Sequence, residues 1–270
     1  MLSSVGLVMN RANTDAVKCA GKAASILRGH GIDAYEMEKE KKKEPAGMII
    51  SFGGDGTLLR AAGYAVENSI PLLGINLGTV GFLTEEEPSN LEATLRALME
   101  GRFDTEERSL LRIQVPHSGD EYYALNDAVI TRGGYARLIK VDVLVNGKIY
   151  GVFTADGIIV ATPTGSTGYS LSAGGPIVSP DMNCMILTPV CAHSMQQCPC
   201  VVSESSHISL RLNPSREQTA ELQVDGQNRM TLNKGHEILV TGTDKKIRLI
   251  RMHNYDFFNV MRHKLVEWGS

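Results

Sequence analysis

One acidic residue lies among glycines in the stretch SFGGDGTLLR, Ser51 to Arg60. The apolar run GMIISF precedes it and a helix-like segment follows it, a pattern typical of a strand, a glycine turn and a helix. Such a turn directs backbone N–H groups and a helix N-terminus at a phosphate. Because a carboxylate repels phosphate, Asp55 is interpreted as a proton acceptor for an attacking hydroxyl or as a partner of a phosphate-bound metal. The alternative is a plain turn in which Asp55 caps the helix.

A second stretch rich in ligand-binding side chains is TADGIIVATPTGSTGYSLSAGGPIVSP, Thr154 to Pro180. Hydroxyl side chains are concentrated there, and a ligand with ribose hydroxyls, amides and phosphates could use them. Tyr169 offers a flat apolar face to a purine or pyridine ring. The alternative is a long Gly/Ser surface loop. The clustered hydroxyl residues are Thr164, Ser166, Thr167 and Ser170.

Composition narrows the classes of protein to consider. The chain has 270 residues, a formal net charge of -3 and 43% hydrophobic residues, which suits a globular protein of two domains. The net negative charge argues against a nucleic-acid partner. Neither a membrane-spanning run nor a signal-peptide pattern is found, so we expect a cytoplasmic protein with no membrane partner. The cysteines between Cys184 and Cys200 lack the close pairing of zinc ligands, so we expect no metal site there.

Strand and helix signals alternate over the first hundred residues, which favours a parallel sheet flanked by helices. A helix is predicted from about Thr57 to Glu67, directly after the glycine turn. Another is predicted over SNLEATLRALMEG, where Ser89 and Glu92 have the spacing of a capping box. The charged run Glu38 to Glu44 nearly neutralises itself and is interpreted as a solvated loop.

After Arg108 the apolar residues alternate with polar ones, as in antiparallel strands. Asn146-Gly147 and Asp225-Gly226 lie between alternating arms and predict hairpins. The last segment, YDFFNVMRHKLVEW, returns to helical spacing. We therefore predict an α/β N-terminal domain with a Rossmann-like parallel sheet and an all-β antiparallel sandwich-type domain. The predicted bounds are 1–107, joined by a C-terminal helix within 251–270, and 108–250.

GGDGT resembles the signature of a kinase superfamily that includes NAD kinases and the diacylglycerol and sphingosine kinases. Five further stretches, in order along nearly the whole chain, are similar to landmarks of the NAD kinase family: GINLGTVGFLT, ALNDAVITR, DG…TPTGSTGYSLSAGGPI, LTPVCAHS and VDGQ. This resemblance implies transfer of a phosphoryl group from ATP to the 2′-hydroxyl of the adenosine ribose of NAD. It also implies Mg²⁺ or another divalent cation with ATP, and a homodimer or homotetramer. Whether polyphosphate can replace ATP stays open.

The resemblance also assigns roles to residues of this chain. Asp55 would be the catalytic base for the ribose hydroxyl, and Gly54 and Gly56 would leave room for the pyrophosphate and triphosphate. Asn126 and Asp127 would hydrogen-bond the ribose or base. The full set of substrate-binding residues implied in this way is Gly54, Gly56, Arg60, Phe82, Asn126, Asp127, Arg137, Thr154, Asp156, Thr164, Ser166, Thr167, Gly168, Tyr169, Ser170, Leu171, Ser172, Cys191 and Gln227.

Two alternatives to a NAD kinase remain at this point. A lipid kinase of the same superfamily would show an apolar groove and would have no use for the hydroxyl-rich segment. A non-catalytic dinucleotide-binding protein would gain nothing from an acid that faces phosphates. One departure from the family pattern is Cys198 before Pro199, where relatives often carry arginine, so any contact of that arginine is missing here.

Overall fold

The computed structural model describes residues 2–37, 45–78, 81–133, 137–193, 198–215, 217–252 and 256–269. The predicted charged loop Glu38 to Glu44 lies outside these residues. The chain forms two compact units, 1–107 with 246–270 and 108–245. We call them unit 1 and unit 2. Within the described ranges, no helix has the length and apolar character needed to cross a membrane.

Strands and helices are numbered in chain order. The strands are β1 Ser4–Met9, β2 Asp33–Glu36, β3 Met48–Gly53, β4 Leu72–Asn76, β5 Asp104–Arg108, β6 Leu111–Val115, β7 Asp120–Ala124, β8 Asp127–Thr131, β9 Ile139–Val145, β10 Lys148–Ala155, β11 Gly157–Ala161, β12 Cys184–Val190, β13 Cys200–Ser203, β14 His207–Leu212, β15 Thr219–Val224, β16 Gln227–Asn233, β17 Glu237–Gly242 and β18 Ile247–Arg251. The α-helices are α1 Thr14–Gly29, α2 Asp55–Asn68, α3 Leu91–Met99, α4 Tyr169–Ser172 and α5 Phe257–Gly269, and short 3₁₀ turns cover Pro88–Asn90 and Thr164–Thr167.

Unit 1 is built on one six-stranded sheet with the order β2-β1-β3-β4-β18-β5. Strand β1 pairs in parallel with β2 and β3, and β4 pairs in parallel with β3 and β18. The buried apolar residues of α1 and α3 pack with those of β1, β3 and β4 in one hydrophobic core. The predicted α/β fold with a parallel sheet is confirmed.

The C-terminal helix belongs to unit 1, as predicted. Phe257 and Met261 of α5 pack against Phe82 in a small buried cluster. Strand β18 was not predicted from the sequence, although it occupies a position between β4 and β5 in the sheet. The C-terminal part of the chain therefore supplies both an inner strand and a helix to the unit that carries the glycine turn.

Unit 2 contains two antiparallel six-stranded sheets, with the orders β10-β9-β14-β17-β6-β7 and β13-β12-β11-β8-β15-β16. Buried residues of both sheets share one hydrophobic core, for example Val143 and Leu210 of the first and Ile158 and Leu222 of the second. Two sheets that bury their inner faces together form a sandwich. The predicted antiparallel sandwich-type domain is confirmed.

Both predicted hairpins of unit 2 are also confirmed, since β9 pairs with β10 and β15 pairs with β16. Asn146 and Asp225 have φ angles of 52° and 49°, and each is followed by a glycine with positive φ. Such turns match the twist of the strands that they join. In contrast, the stretch EYYALNDAVITR is not one strand. It divides into β7 and β8, which belong to different sheets, and Asn126 lies at the crossing.

Candidate active site

The glycine turn of unit 1 consists of Gly53 at the end of β3 and Gly54 at the N-cap of α2. A Cβ at Gly53 would lie 2.3 Å from the Thr57 hydroxyl, and its φ of 153° also favours glycine. Gly54 has no side chain with which to bind the N–H groups of the first helical turn. The helix therefore begins without a side-chain cap, which leaves its positive end available to an anion.

Asp55 is the first residue of α2, so the helix begins two residues earlier than predicted. Its carboxylate is not free in a flexible turn. Oδ2 accepts a hydrogen bond from the Phe82 N–H at 2.8 Å, and Oδ1 accepts bonds from Leu83 N–H, Thr84 N–H and Thr84 Oγ1 at 3.1–3.2 Å. Gly81 passes so close that a Cβ on it would lie 2.0 Å from Oδ1.

This hydrogen-bond pattern leaves one part of Asp55 available for chemistry. An ionised carboxylate has about four lone-pair sites, two on each oxygen. Three donors crowd Oδ1, whereas Oδ2 accepts one. Oδ2 can thus accept a further hydrogen bond, for example from a hydroxyl group. Asp55 also fixes the backbone of residues 82–84, a structural role that the sequence analysis missed.

The other predicted residues of unit 1 differ from Asp55 in their contacts and exposure. Arg60 is exposed and donates from Nη2 to the carbonyl oxygen of Met9 at 2.9 Å, at the end of β1. Gly56 is exposed, and a side chain there would meet nothing within 4 Å. Phe82 is buried against α5. Their substrate-binding roles stay predictions.

In unit 2, a second aspartate organises the predicted Asn126-Asp127 motif. Asp225 accepts hydrogen bonds from three consecutive N–H groups: Leu125 at 2.9 Å to Oδ2, and Asn126 at 2.7 Å and Asp127 at 3.1 Å to Oδ1. The sequence marked Asp225 only as a hairpin residue and part of a family landmark. Its side chain nevertheless fixes the position at which the chain passes from one sheet to the other.

Asn126 is held on its other side by the hydroxyl-rich segment. Its carbonyl oxygen accepts the Thr162 N–H at 2.8 Å, and a Cβ at Gly165 would lie 2.1 Å from that oxygen. A Cβ on Gly168 would lie 3.6 Å from Asn126 Nδ2. Asn126 Oδ1 is buried and has no hydrogen-bond partner within the described part of the chain. A buried acceptor without a donor is unfavourable, so this atom suits a ligand that brings an N–H or O–H group.

Two carboxylates in this motif influence each other. Burial raises the pKa of Asp127 to about 7, and the negative charge of Asp225 adds to that effect. Burial also raises the pKa of Asp225, while its three backbone donors and the charge of Arg229 lower it. The ionised state thus belongs chiefly to the carboxylate with the hydrogen bonds, Asp225, and Asp127 is partly protonated near neutral pH.

The four clustered hydroxyls already have protein partners. All four residues are buried within the two short helical turns Thr164–Thr167 and Tyr169–Ser172. Their roles as ligand groups stay predictions, because each also serves the packing of the segment. The partners are the Val178 carbonyl for Ser166, the Thr188 hydroxyl for Ser170, the Thr164 carbonyl for Thr167 and an Arg108 guanidinium N–H for Thr164, at 2.8–3.3 Å.

The remaining predicted residues of unit 2 differ in exposure. Tyr169 is 45% exposed, as a ring available for stacking must be. Asp156 forms an ion pair with Arg132 Nε at 2.7 Å. Ser172, Arg137 and Cys191 are exposed, Leu171 and Thr154 are half-buried, and Gln227 opens β16.

The divalent cation that the family resemblance implies stays a prediction. No cluster of three or more His, Cys, Asp or Glu side chains suited to a metal occurs in the residues that the structure describes. Mg²⁺ is commonly held by one or two carboxylates together with substrate phosphates. Asp55 Oδ2, with a single hydrogen bond, supplies one such oxygen.

Comparisons with known proteins identify the family of the chain. Residues 9–103 match the ATP-NAD kinase N-terminal domain family, and residues 125–252 match the ATP-NAD kinase C-terminal domain family. The chain is 37% identical to the NAD kinase of Desulforamulus reducens, over 100% of this chain and 99% of that protein. It is 42% identical to the NAD kinase of Geobacter sp. strain M21, over 88% of this chain and 83% of that protein.

Solved structures give the same result. The yeast NADH kinase complexed with NADH has a TM-score of 0.86 at 25% identity, covering 98% of this chain and 87% of that one. An NAD kinase from Archaeoglobus fulgidus in complex with ATP has a TM-score of 0.75 at 28% identity, covering 97% and 98%. The chain therefore belongs to the NAD kinase family.

Proposed function

We propose that this protein transfers the terminal phosphoryl group of ATP to the 2′-hydroxyl of the adenosine ribose of NAD, which gives NADP. The observation that carries the proposal is the environment of the Asp55 carboxylate. It lies at a helix N-terminus without a side-chain cap, and its Oδ2 can accept a hydroxyl proton. The N-terminus of α2 can bind an anion, and the adjacent Asp55 can accept a proton. Both features occur in a chain that belongs to the NAD kinase family.

In the proposed reaction, the 2′-oxygen of the ribose forms a bond to the terminal phosphorus of ATP. The bond between that phosphorus and the bridging oxygen breaks, and ADP leaves. The proton of the 2′-hydroxyl passes to Asp55 Oδ2. A positioned base of this kind contributes roughly 10²–10⁴-fold to the rate. Because the Oδ1 bonds fix the carboxylate, Oδ2 is presented in one orientation.

A divalent cation, Mg²⁺ or a similar ion, is expected to accompany ATP and to neutralise charge on the phosphate oxygens. Asp55 Oδ2 has acceptor capacity for either the cation or the ribose hydroxyl, and the proposal assigns it to the hydroxyl. The first-turn N–H groups of α2 provide further positive potential for phosphate, since Gly54 supplies no cap. The protein's own contribution is thus to bind the phosphates, to orient the hydroxyl and to accept its proton.

NAD recognition is assigned to unit 2. Asn126 Oδ1, buried and without a partner among the described residues, would accept a hydrogen bond from the ribose or base of NAD. The exposed ring of Tyr169 would stack on a purine or pyridine ring. A site with a buried unpaired acceptor discriminates against analogues that lack the matching donor, by up to roughly 10⁴–10⁵-fold.

We also infer a homodimer or homotetramer. Ile149 of β10 and Val201 of β13 are large apolar residues that are 77% and 49% exposed. Both strands lie at sheet edges, where unpaired backbone groups favour association with another chain. ATP is the proposed donor, and inorganic polyphosphate is the alternative donor that the assay below includes.

The deciding experiment measures NADP formation by the purified protein with NAD, Mg²⁺ and either ATP or polyphosphate. Asp55→Asn is compared with Asp15→Asn, which changes the matching first-turn aspartate of α1. We expect Asp55→Asn to lower kcat by about 10²–10⁴-fold and Asp15→Asn to retain full activity.

Thr84→Val separates the two roles of Asp55, because it removes one hydrogen bond of the carboxylate and keeps the carboxylate itself. We expect it to lower kcat less than Asp55→Asn does. Near-normal turnover of Asp55→Asn would reject the assignment of the base. Absence of NADP with both donors would reject the proposed function.

A further inference from the structure

Arg251, the last residue of β18, is a buried cation next to the segment that Asp55 holds. Its side chain is 4% exposed. Nη1 donates to the Leu83 carbonyl oxygen and to Glu85 Oε2, both at 3.3 Å, and Nε donates to Glu106 Oε2 at 2.8 Å. Two carboxylates thus pair with the guanidinium, which also donates to a backbone carbonyl.

That carbonyl belongs to the same peptide unit as an N–H group that binds Asp55. The Leu83 C=O and the Thr84 N–H are the two ends of one planar amide. Arg251 donates to the oxygen end at 3.3 Å, and the nitrogen end donates to Asp55 Oδ1 at 3.2 Å. The guanidinium, the Leu83–Thr84 peptide and the carboxylate therefore form one continuous hydrogen-bonded chain.

We propose that Arg251 is a positioning residue for Asp55, which it orients and supports through the Leu83–Thr84 peptide. The expected change in kcat rests on the proposed function. The hydrogen-bonded chain does not, because it can be observed without turnover.

Two physical effects give Arg251 this role. A cation at the carbonyl end polarises the amide, so the N–H at the other end becomes a stronger donor to Asp55. The guanidinium also fixes the peptide in space through a rigid planar group with donors in several directions. A lysine side chain has one nitrogen atom, so it cannot replace both Nε and Nη1 of the arginine. Arg251→Lys therefore keeps the charge and loses part of the geometry.

The kinetic test compares Arg251→Lys with Arg28→Lys. Arg28 is also in unit 1 and donates from Nε and Nη2 to a backbone carbonyl, that of Ala34, at 3.0 and 2.5 Å. A catalytic group that is displaced by about 1 Å can lose 10²-fold in rate. We expect Arg251→Lys to lower kcat by about 10- to 100-fold with the KM for NAD within about twofold. Arg28→Lys should leave both constants within about twofold of the wild type.

Glu106→Gln removes an ion pair of Arg251 and keeps its contact with Leu83. It should change kcat by less than about threefold if the peptide contact is what matters. A loss in Glu106→Gln as large as that in Arg251→Lys, or an equal loss in Arg28→Lys, would overturn the proposal.

A spectroscopic readout tests the chain directly. Amide proton shifts of ¹⁵N-labelled protein report hydrogen-bond strength at each N–H. In Arg251→Lys the Thr84 amide proton should move upfield more than the Leu83 amide proton, which binds the same Asp55 oxygen but belongs to a different peptide unit. Equal shifts of the two, or no shift of Thr84, would overturn the proposal. If the wild type formed no NADP, the proposed function would fail, and the amide shifts would still decide the role of Arg251.

Discussion

Each unit contains an aspartate that accepts hydrogen bonds from three consecutive backbone N–H groups. Asp55 binds those of residues 82–84 in unit 1, and Asp225 binds those of residues 125–127 in unit 2. In both, the segment that is held contains part of a motif predicted to contact substrate. Each carboxylate therefore fixes a backbone segment that is distant from it in the sequence.

The difference between the two lies in what else each carboxylate does. Asp55 is at the positive end of a helix and has acceptor capacity left on Oδ2. Asp225 lies beside a second carboxylate, Asp127, and its charge helps to raise the pKa of that group. In unit 1 the observed structural role and the proposed chemical role thus belong to one residue, Asp55. Unit 2 divides them, since Asp225 holds the motif and the proposed ligand contact falls to its neighbour Asn126.

The largest effect is expected when the segment bound by Asp55 is displaced. In Gly81→Ala the new methyl group would lie 2.0 Å from Asp55 Oδ1 and 2.2 Å from Thr84 Oγ1, so the carboxylate or the segment must move. We expect kcat to fall by about 10²-fold or more. Steady-state kinetics with Gly63→Ala as the control checks this, because a Cβ at Gly63 of α2 meets nothing within 4 Å. Equal activity of the two variants would mean that the carboxylate of Asp55 need not be fixed.

A smaller effect, on binding rather than turnover, is expected when the Asp225 contacts are removed. Asp225→Gly suits the left-handed backbone and deletes three hydrogen bonds to a charged acceptor. A hydrogen bond to a charged group contributes about 1.5–3 kcal/mol, so loss of Asn126 positioning should raise the KM for NAD by about 10- to 100-fold.

Asn146→Gly is the matched control for that variant. Asn146 occupies the same kind of turn, with φ of 52°, and its side chain also accepts a backbone N–H, that of His207 at 2.8 Å. Its substitution should leave the KM for NAD unchanged. If Asp225→Gly lowered kcat and left KM alone, the division of roles in unit 2 would be wrong.

The smallest effect concerns the dependence of stability on pH. Asp127 has a pKa of about 7 in the folded protein, above the ordinary value of about 3.9 in an unfolded chain. Between these values the unfolded state binds fewer protons, so the Asp127 contribution to stability falls as the pH rises from about 4 to about 7. Asp127→Asn should therefore gain stability relative to the wild type between pH 5 and pH 8 in urea unfolding.

Glu121, whose pKa is shifted in the opposite direction, provides the control. Hydrogen bonds from Tyr123 and Arg112 lower the pKa of Glu121, so its contribution is present at neutral pH and is lost as the pH falls. Glu121→Gln should be less stable than the wild type at pH 7 and should approach it in acid. A wild type and Asp127→Asn with parallel stability curves would exclude a protonated Asp127.

Local patterns in the sequence were sufficient for much of the fold. The hairpins at Asn146 and Asp225 follow from turn residues that tolerate positive φ, and the strand before Asp55 follows from an apolar run. The capping box predicted at Ser89 and Glu92 is wrong. The Ser89 hydroxyl donates to Glu87 at 3.3 Å, and α3 begins only at Leu91. A short 3₁₀ turn competes with the cap, and local spacing does not distinguish the two.

The contacts that organise the site could not be predicted, because they join distant parts of the chain. Asp225 binds N–H groups 98–100 residues away, and Arg251 binds a carbonyl 168 residues away. An Asp-Gly pair is fully explained by its turn, so nothing in the local pattern indicates a second role for the side chain. The hydroxyls near Thr164 were predicted as ligand groups, and their protein partners could be found only in the fold.

The position of β18 in the sheet of unit 1 has a consequence for biosynthesis. Ribosomes release the chain from its N-terminus, and domains near that end ordinarily fold first. Here a strand between β4 and β5 comes from residues 247–251, so unit 1 cannot complete its sheet until unit 2 has been synthesised and residue 251 has emerged. The nascent chain must therefore carry an unfinished sheet of unit 1 while unit 2 is being synthesised. The same segment delivers Arg251 to Leu83, so this contact with the backbone next to Asp55 also forms only after unit 2 has been synthesised.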